Sequence, residues 1–185
     1  MHFDSPGDKE LEALRSRIGY VFQSGALFDS ETVFDNVAFP LREKTHLSES
    51  KIRIKVLEEL ELVGLKGAEN KYPAQLSGGM LKRAALARTL VRTPEIILFD
   101  EPTTGLDPVA VNSILHLFDT VHKRLNLTGI LVSHEIPEIF GIVQKIAMLY
   151  EGKIVAVETP ETILTTQNAV IDQFVHGKPE GPIHY

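Results

Sequence analysis

Four apolar residues, Ile96-Ile97-Leu98-Phe99, run directly into two acids, Asp100-Glu101. A short continuous apolar run is the pattern of a strand buried on both faces, as in parallel sheets covered by helices. Its acidic end then lies outside the carboxyl edge of the sheet, where α/β folds place their ligands. The chain beyond keeps alternating. Asp107-Pro108 supplies an N-cap and a first helical residue. Val111, Ile114, Leu115, Phe118 and Val121 recur on one helical face, Gly129 is read as the break of that helix, and Ile130 to Val132 makes the next strand, ending at Ser133-His134. Strand and helix in alternation predict an α/β sheet.

Upstream, Ile18 to Phe22 predicts a short buried strand ending at Gln23, followed by a loop through Ser24 and Gly25. Thr32 is predicted to cap a short helix carrying Val33, Phe34 and Val37 that ends near Pro40. Ser48 or Ser50 begins a stronger helix, with Ile52, Val56, Leu60 and Val63 at helical spacing and Gly64 as its stop. Pro73 marks a loop. Leu76-Ser77-Gly78-Gly79 then opens a third helix whose buried stripe is Met80, Ala84, Ala87 and Val91, closed by Pro94. The stretch from Thr32 to Arg92 therefore reads as an inserted helical subdomain. Near the end, a helix from Pro137 to Val143 is expected, then strands around Ile146 to Leu149 and Ile154 to Val157 turned by Glu151-Gly152. Thr159-Pro160 begins a last helical region, and Gly177 to Tyr185 reads as a loose tail.

Composition narrows the function classes. At 185 residues, with 43% apolar and 24% charged, the chain suits one ordinary globular domain. A net charge of −6 gives no basic footprint, so nucleic acid is not an expected partner. Local basic stretches, Arg15-Ser16-Arg17 and Lys82-Arg83, read as solvated faces. Cysteine is absent, which fits a reducing compartment. The first residues show no cationic segment followed by an apolar stretch. No apolar run approaches the ~18 residues that span a bilayer, so any membrane crossing belongs to another chain.

Several residues carry chemistry at these positions. Asp100 can serve Mg²⁺, with nucleotide phosphates completing the shell, and Glu101 can orient and deprotonate a water. Alone, Asp-Glu-Pro equally describes a turn cap. Ser77, Gly78 and Gly79 open a helix whose N–H groups and dipole favour an anion; alone, they are an N-cap with a Gly-Gly turn. His134 after a strand can donate to a phosphate oxygen or simply cap the strand. Gln23 at a strand end is equally bland by itself, and Asp107 is already explained as the cap before Pro108.

The constellation says more than its parts. Gln23, Leu76 to Gly79, Asp100-Glu101, Gly105-Leu106-Asp107 and His134, in that order, resemble the Q-loop, signature, Walker B, D-loop and H-loop of an ATP-binding cassette (ABC) ATPase. The resemblance covers nearly all of Ile18 to Val157. It implies an α/β P-loop NTPase of ABC type, with a partial RecA-like core sheet and an inserted helical subdomain. It assigns Gln23 to Mg²⁺ or the lytic water, Asp100 to Mg²⁺, Glu101 to the catalytic base and His134 to the γ-phosphate. Ser77, Gly78 and Gly79 would bind ATP held by the opposite subunit, and Asp107 would cross the dimer interface. Gln23 to Asp29, Asn36 to Glu43, Gly181-Pro182-Ile183, and Met80 in place of the usual glutamine look like the Mla-type ATPases. These drive phospholipid transport with MCE-domain proteins in Gram-negative bacteria. That resemblance implies ATP and Mg²⁺ as cofactors and a second ATPase subunit as dimer partner. It further implies a permease docked around Gly25 to Phe39 and a cytoplasmic location at the inner face of the inner membrane.

The family also implies a G-x-x-x-x-G-K-[ST] loop before Ile18. The Gly-Lys pairs present, Gly152-Lys153 before Ile154 and Gly177-Lys178 before Pro179, do not match it. The expected organisation is thus a core remnant over 1–28, the helical subdomain over 29–92, core over 93–157, and a terminal helix and tail over 158–185. The N-terminal strands and P-loop would be absent, with apolar sheet surface exposed. A homodimer of this chain is then not expected to turn over ATP by itself. The competing reading is a non-catalytic regulatory subunit that lends its signature motif to a complete partner. A chromosome-maintenance head is disfavoured, because only a compact helical stretch without sustained heptads joins Gln23 to Ser77.

Overall fold

The structure, a computed structural model, describes residues 7–136 and 138–184. Two compact units divide the chain after His134. In the first, α1 (Asp8–Arg17) leads into β1 (Ile18–Val21). Three helices follow, α2 (Val33–Lys44), α3 (Glu49–Leu62) and α4 (Gly78–Leu90), before β2 (Ile96–Asp100), α5 (Pro108–Leu125) and β3 (Thr128–Val132). The strands form a parallel sheet in the order β1-β2-β3. The alternation read from the sequence is therefore present as right-length strands joined by helical crossovers.

Register decides which strand residues are buried. Gly19 pairs with Ile97 and Val21 with Phe99, and all four are buried. A Cβ on Gly19 would strike Thr89 and come within 3.2 Å of Pro94, so only glycine lets α4 lie this close to β1. The other face carries Ile18, Tyr20, Ile130 and Val132, all exposed, with Ile96 and Leu98 half-buried. Burial of β2 on both faces, expected from its apolar run, is thus corrected. An apolar run reports a strand's composition, while coverage depends on what packs on each side.

Helices α2, α3 and α4 pack on one another. Val33, Val37 and Leu41 of α2, Ile52, Val56 and Leu60 of α3, and Ala84, Leu86 and Leu90 of α4 are buried. Met80, placed on that stripe by spacing, is only half-buried in the first turn of α4. Pro40 does not end α2, which continues to Lys44. Proline removes one N–H and strains the preceding turn. Leu41, buried one residue later, anchors the last turn, where Arg42 pairs with Asp35 at 2.9 Å and Glu49 at 3.0 Å. Likewise α5 stops at Asn126, left-handed at φ 49°, and not at Gly129, which lies inside β3.

The second unit holds the antiparallel hairpin of β4 (Ile146–Tyr150) and β5 (Lys153–Glu158), then α6 (Pro160–Leu164) and α7 (Ala169–His176). Glu151 and Gly152, at φ 46° and 73°, make the tight turn expected of them. The helix expected over Pro137 to Val143 is instead a single 3₁₀ turn, Glu138–Gly141, with Pro137 outside the described residues. The segment after Gly177 is not loose. Buried Gln173 accepts from Ile183 N–H at 2.7 Å and donates to Ile183 O at 3.1 Å, and Tyr150 donates to Pro182 O. A single buried amide thus holds what polar composition alone suggested was free.

Candidate functional site

Every candidate residue lies in the first unit, and β2 places the acids. Asp100 is its last residue, and its Oδ2 accepts the Tyr20 hydroxyl at 2.9 Å from the neighbouring strand. Glu101 follows at φ 47°, a left-handed conformation rare for a residue with a side chain. Its N–H still donates to Val132 O at 3.0 Å, so the turn begins while the sheet still holds it. This turn brings the carboxylate between two partners. Oε1 lies 2.8 Å from His134 Nδ1 and Oε2 accepts from Thr104 Oγ1 at 2.7 Å.

Partial burial pushes the Glu101 carboxyl up, but the bonds from His134 and Thr104, with the charges of His134 and Lys82, outweigh it. The group is held below its ordinary range and stays ionised at neutral pH. His134 keeps much of its ring in solvent. Asp107 accepts from Val109 and Ala110 N–H, each at 3.0 Å, confirming its capping role at α5.

Ser77 is the N-cap of α4, its hydroxyl 3.4 Å from Met80 N. Ser77 and Gly78 are exposed, so the first N–H groups of the helix face outward. Leu106, on the loop that follows Glu101, lies 3.0 Å from where a Gly78 Cβ would sit, so the loop and the helix start are in contact. Gln23 is exposed just beyond β1, and its carbonyl accepts the ammonium of Lys82. Glu101 and His134 are therefore brought together directly, with Asp100 adjacent in sequence and bonded to Tyr20, while Gln23 is linked to α4 through its main chain.

Four residues escaped the sequence reading. Lys82 is not on a solvated face but 7% exposed, and Arg83 donates to Val63 O at 2.6 Å and Ser113 Oγ at 2.8 Å. The available signal was spacing, since Lys82 falls three and four positions before Ala85 and Leu86 on a helix buried almost all round. Thr104 and Tyr20 carried no signal, because both act through neighbours set by the turn and by strand register.

Comparison with known proteins decides the family. The model of the ABC transporter family matches residues 2–104. The chain belongs to the ABC transporter family. It is 46% identical over 178 residues to the intermembrane phospholipid transport system ATP-binding protein MlaF of Haemophilus influenzae, covering 96% of this chain and 67% of that one. It is 44% identical to the probable ribonucleotide transport ATP-binding protein mkl of Mycobacterium leprae, covering 95% of this chain and 50% of that one. A dimeric ATP-binding cassette solved in a post-hydrolysis state with ADP and Pi superposes with a TM-score of 0.73 at 33% identity, over 84% of this chain and 68% of that one. The chain thus spans half to two thirds of the curated relatives' length. The ABC fold expected from motif order is present, with its parallel sheet and helical subdomain. Among the described residues, no helix of this ABC protein is long and apolar enough to cross a membrane.

Proposed function

We propose that this chain is the ATP-binding and ATP-hydrolysing subunit of an Mla-type ABC transporter, coupling hydrolysis to phospholipid movement through a separate permease. The observation that carries the reading is the Glu101 carboxylate, ionised and held between His134 and Thr104 beside Asp100. Glu101 takes a proton from the attacking water, and His134 orients that carboxylate and faces the γ-phosphate. Gln23, just beyond β1, would touch Mg²⁺ or the lytic water. Asp100 is the residue that would hold Mg²⁺, which would supply charge neutralisation at the phosphates. Among the described residues no three His, Cys, Asp or Glu form a metal cage, which suits an ion held mostly by phosphate and water. Bound ATP supplies the phosphoryl group; this chain supplies the base and the orienting contacts.

Ser77, Gly78 and Gly79 serve nucleotide held by a second subunit, with Asp107 near the dimer seam. The exposure of Ser77, Gly78 and Asp107 supports this, as does the dimeric state of the solved relative. Phe28 and Phe39, exposed and packed edge to face at 4.9 Å, suit permease docking within Gly25 to Phe39. MCE-domain proteins, and a site at the inner face of the inner membrane, follow from the Mla reading.

The test is phosphate release and ATP-dependent association, measured for the chain alone and mixed with MlaF of H. influenzae. ATP-dependent association is expected in the mixture, and turnover sensitive to Glu101→Gln is expected where the same chain also carries the family's phosphate-binding loop. Association with turnover indifferent to Glu101 would assign the chain a signature-lending role only, and no ATP dependence in either setting would end the proposal.

A further inference from the structure

Helix α4 grips the main chain leaving β1 at successive points. Thr89 Oγ1 donates to Tyr20 O at 3.2 Å, and the Lys82 ammonium donates to Gln23 O. Farther along the helix, Arg88 donates from Nη2 to Gly25 O at 3.0 Å and from Nη1 to Ala26 O at 2.8 Å. Gly25 and Ala26 are consecutive left-handed residues, at φ 77° and 47°, and this bend turns their carbonyls toward the helix. The Ala85 methyl lies 3.3 Å from where a Gly25 Cβ would sit, so loop and helix are in direct contact.

Both cations leave bulk water to make these bonds. Withdrawing an ammonium from water is costly unless partners replace its hydration. Surface solubility therefore does not account for Lys82. The Arg88 guanidinium also lies 5.8 Å above the Phe28 ring. At its far end the same segment is fixed by buried Asn36, which accepts from Phe28 N–H at 2.7 Å and donates to Phe28 O at 3.0 Å.

We propose that Lys82 and Arg88 are positioning residues that clamp Gln23–Ala26 to α4, so that Gln23 moves with the helix that begins at the signature glycines. The function assigned to Gln23 rests on the reading above; the clamp itself is a property of this chain.

Hydrogen–deuterium exchange on the full chain tests the clamp without nucleotide. Lys82→Met and Arg88→Met should each speed exchange of the 24–28 amides by about tenfold, the worth of a charge-assisted hydrogen bond. Exchange in α3 should stay unchanged, and Lys82→Arg should restore protection. Unchanged rates over 24–28 would overturn the clamp, as would an equal rise throughout α3 and β2. Should Arg88→Met fail to fold, Arg88→Lys decides, since it keeps the charge but loses the two-pronged grip. In an assembly whose copy of this chain also carries the phosphate-binding loop, Lys82→Met should lower kcat with KM for ATP preserved. Full kcat with 24–28 deprotected would overturn the link to Gln23, whereas absent wild-type turnover would remove the ATPase reading and leave exchange to judge the clamp.

Discussion

Glu101 Oε1 sits 2.8 Å from His134 Nδ1, across the carboxyl ends of two adjacent strands, while Thr104 holds the other oxygen at 2.7 Å. Both oxygens are thus oriented by this one chain. Glu101→Gln keeps the shape and loses the basicity. In the complete assembly it should retain ATP binding and lose turnover by at least ~10²-fold, the range typical of removing a general base. Phosphate release with a parallel nucleotide-binding measurement checks this. A wild-type rate in the variant would remove Glu101 as base.

Ser77 separates two effects that its position combines. As a cap its bond to Met80 N is long, 3.4 Å, so Ser77→Ala should cost no more than ~1 kcal/mol in urea unfolding. As a donor to a partner's nucleotide, its loss should impair ATP-driven dimer closure, read by crosslinking. Unchanged closure would assign Ser77 to capping alone.

What was legible beforehand follows physical rules of two kinds. Residues that act through local backbone geometry were readable: Asp107 before Pro108, Ser77 before Gly78, the Glu151-Gly152 turn, and the helical spacing from Ile52 to Val63. Residues that act through tertiary contact were not. Lys82 looked like surface charge because its partner, the carbonyl of Gln23, is 59 positions away in sequence. Thr104 meets Glu101 only because Glu101 adopts φ 47°. The Pro40 and Gly129 expectations failed for a related reason: each weighed a local propensity against packing that only the folded subdomain or sheet supplies. Motif order, by contrast, needed no contact information, which is why the family was clear before any detail of the site.

Asn36 offers a test of the subdomain core. It is fully buried, and its amide accepts from Phe28 N–H and donates to the carbonyls of Phe28, Glu31 and Thr32. Asn36→Ala strands those groups and leaves a polar cavity, so a loss of ~3 kcal/mol is expected from the urea midpoint. A loss below ~1 kcal/mol would mean the loop finds other partners.

Glu59 on α3 should behave in the opposite way. Burial pushes its carboxyl up, Lys55 and Arg124 partly oppose this, and Oε2 has no hydrogen-bond partner among the described residues. A carboxyl raised on folding penalises the ionised native state, so stability rises as pH falls through its folded value. Glu59→Gln should raise Tm at pH 7 and make less difference near pH 4. The gain should stay under ~1 kcal/mol, because the group is partly solvated. A lower Tm at pH 7 in the variant would contradict the burial penalty.

Asp35 carries the reverse sign. The Thr32 hydroxyl, then Arg42, hold its carboxyl below the ordinary range, against a smaller upward push from burial. Glu49, on α3, is also held down by Arg42, so one guanidinium pairs with an acid of its own helix and ties α2 to α3 through Glu49. A depressed carboxyl adds stability that is present above its ordinary pKa and lost as pH falls through the folded value. Wild-type Tm should therefore fall as pH drops below about 4, the ordinary carboxylate value. Asp35→Asn should start lower at pH 7, by under ~1 kcal/mol for a partly exposed pair, and fall less steeply in acid. Parallel curves for the two proteins would show that the Asp35–Arg42 pair does not govern acid loss, leaving the interhelical tie between Arg42 and Glu49 as the pair to vary next.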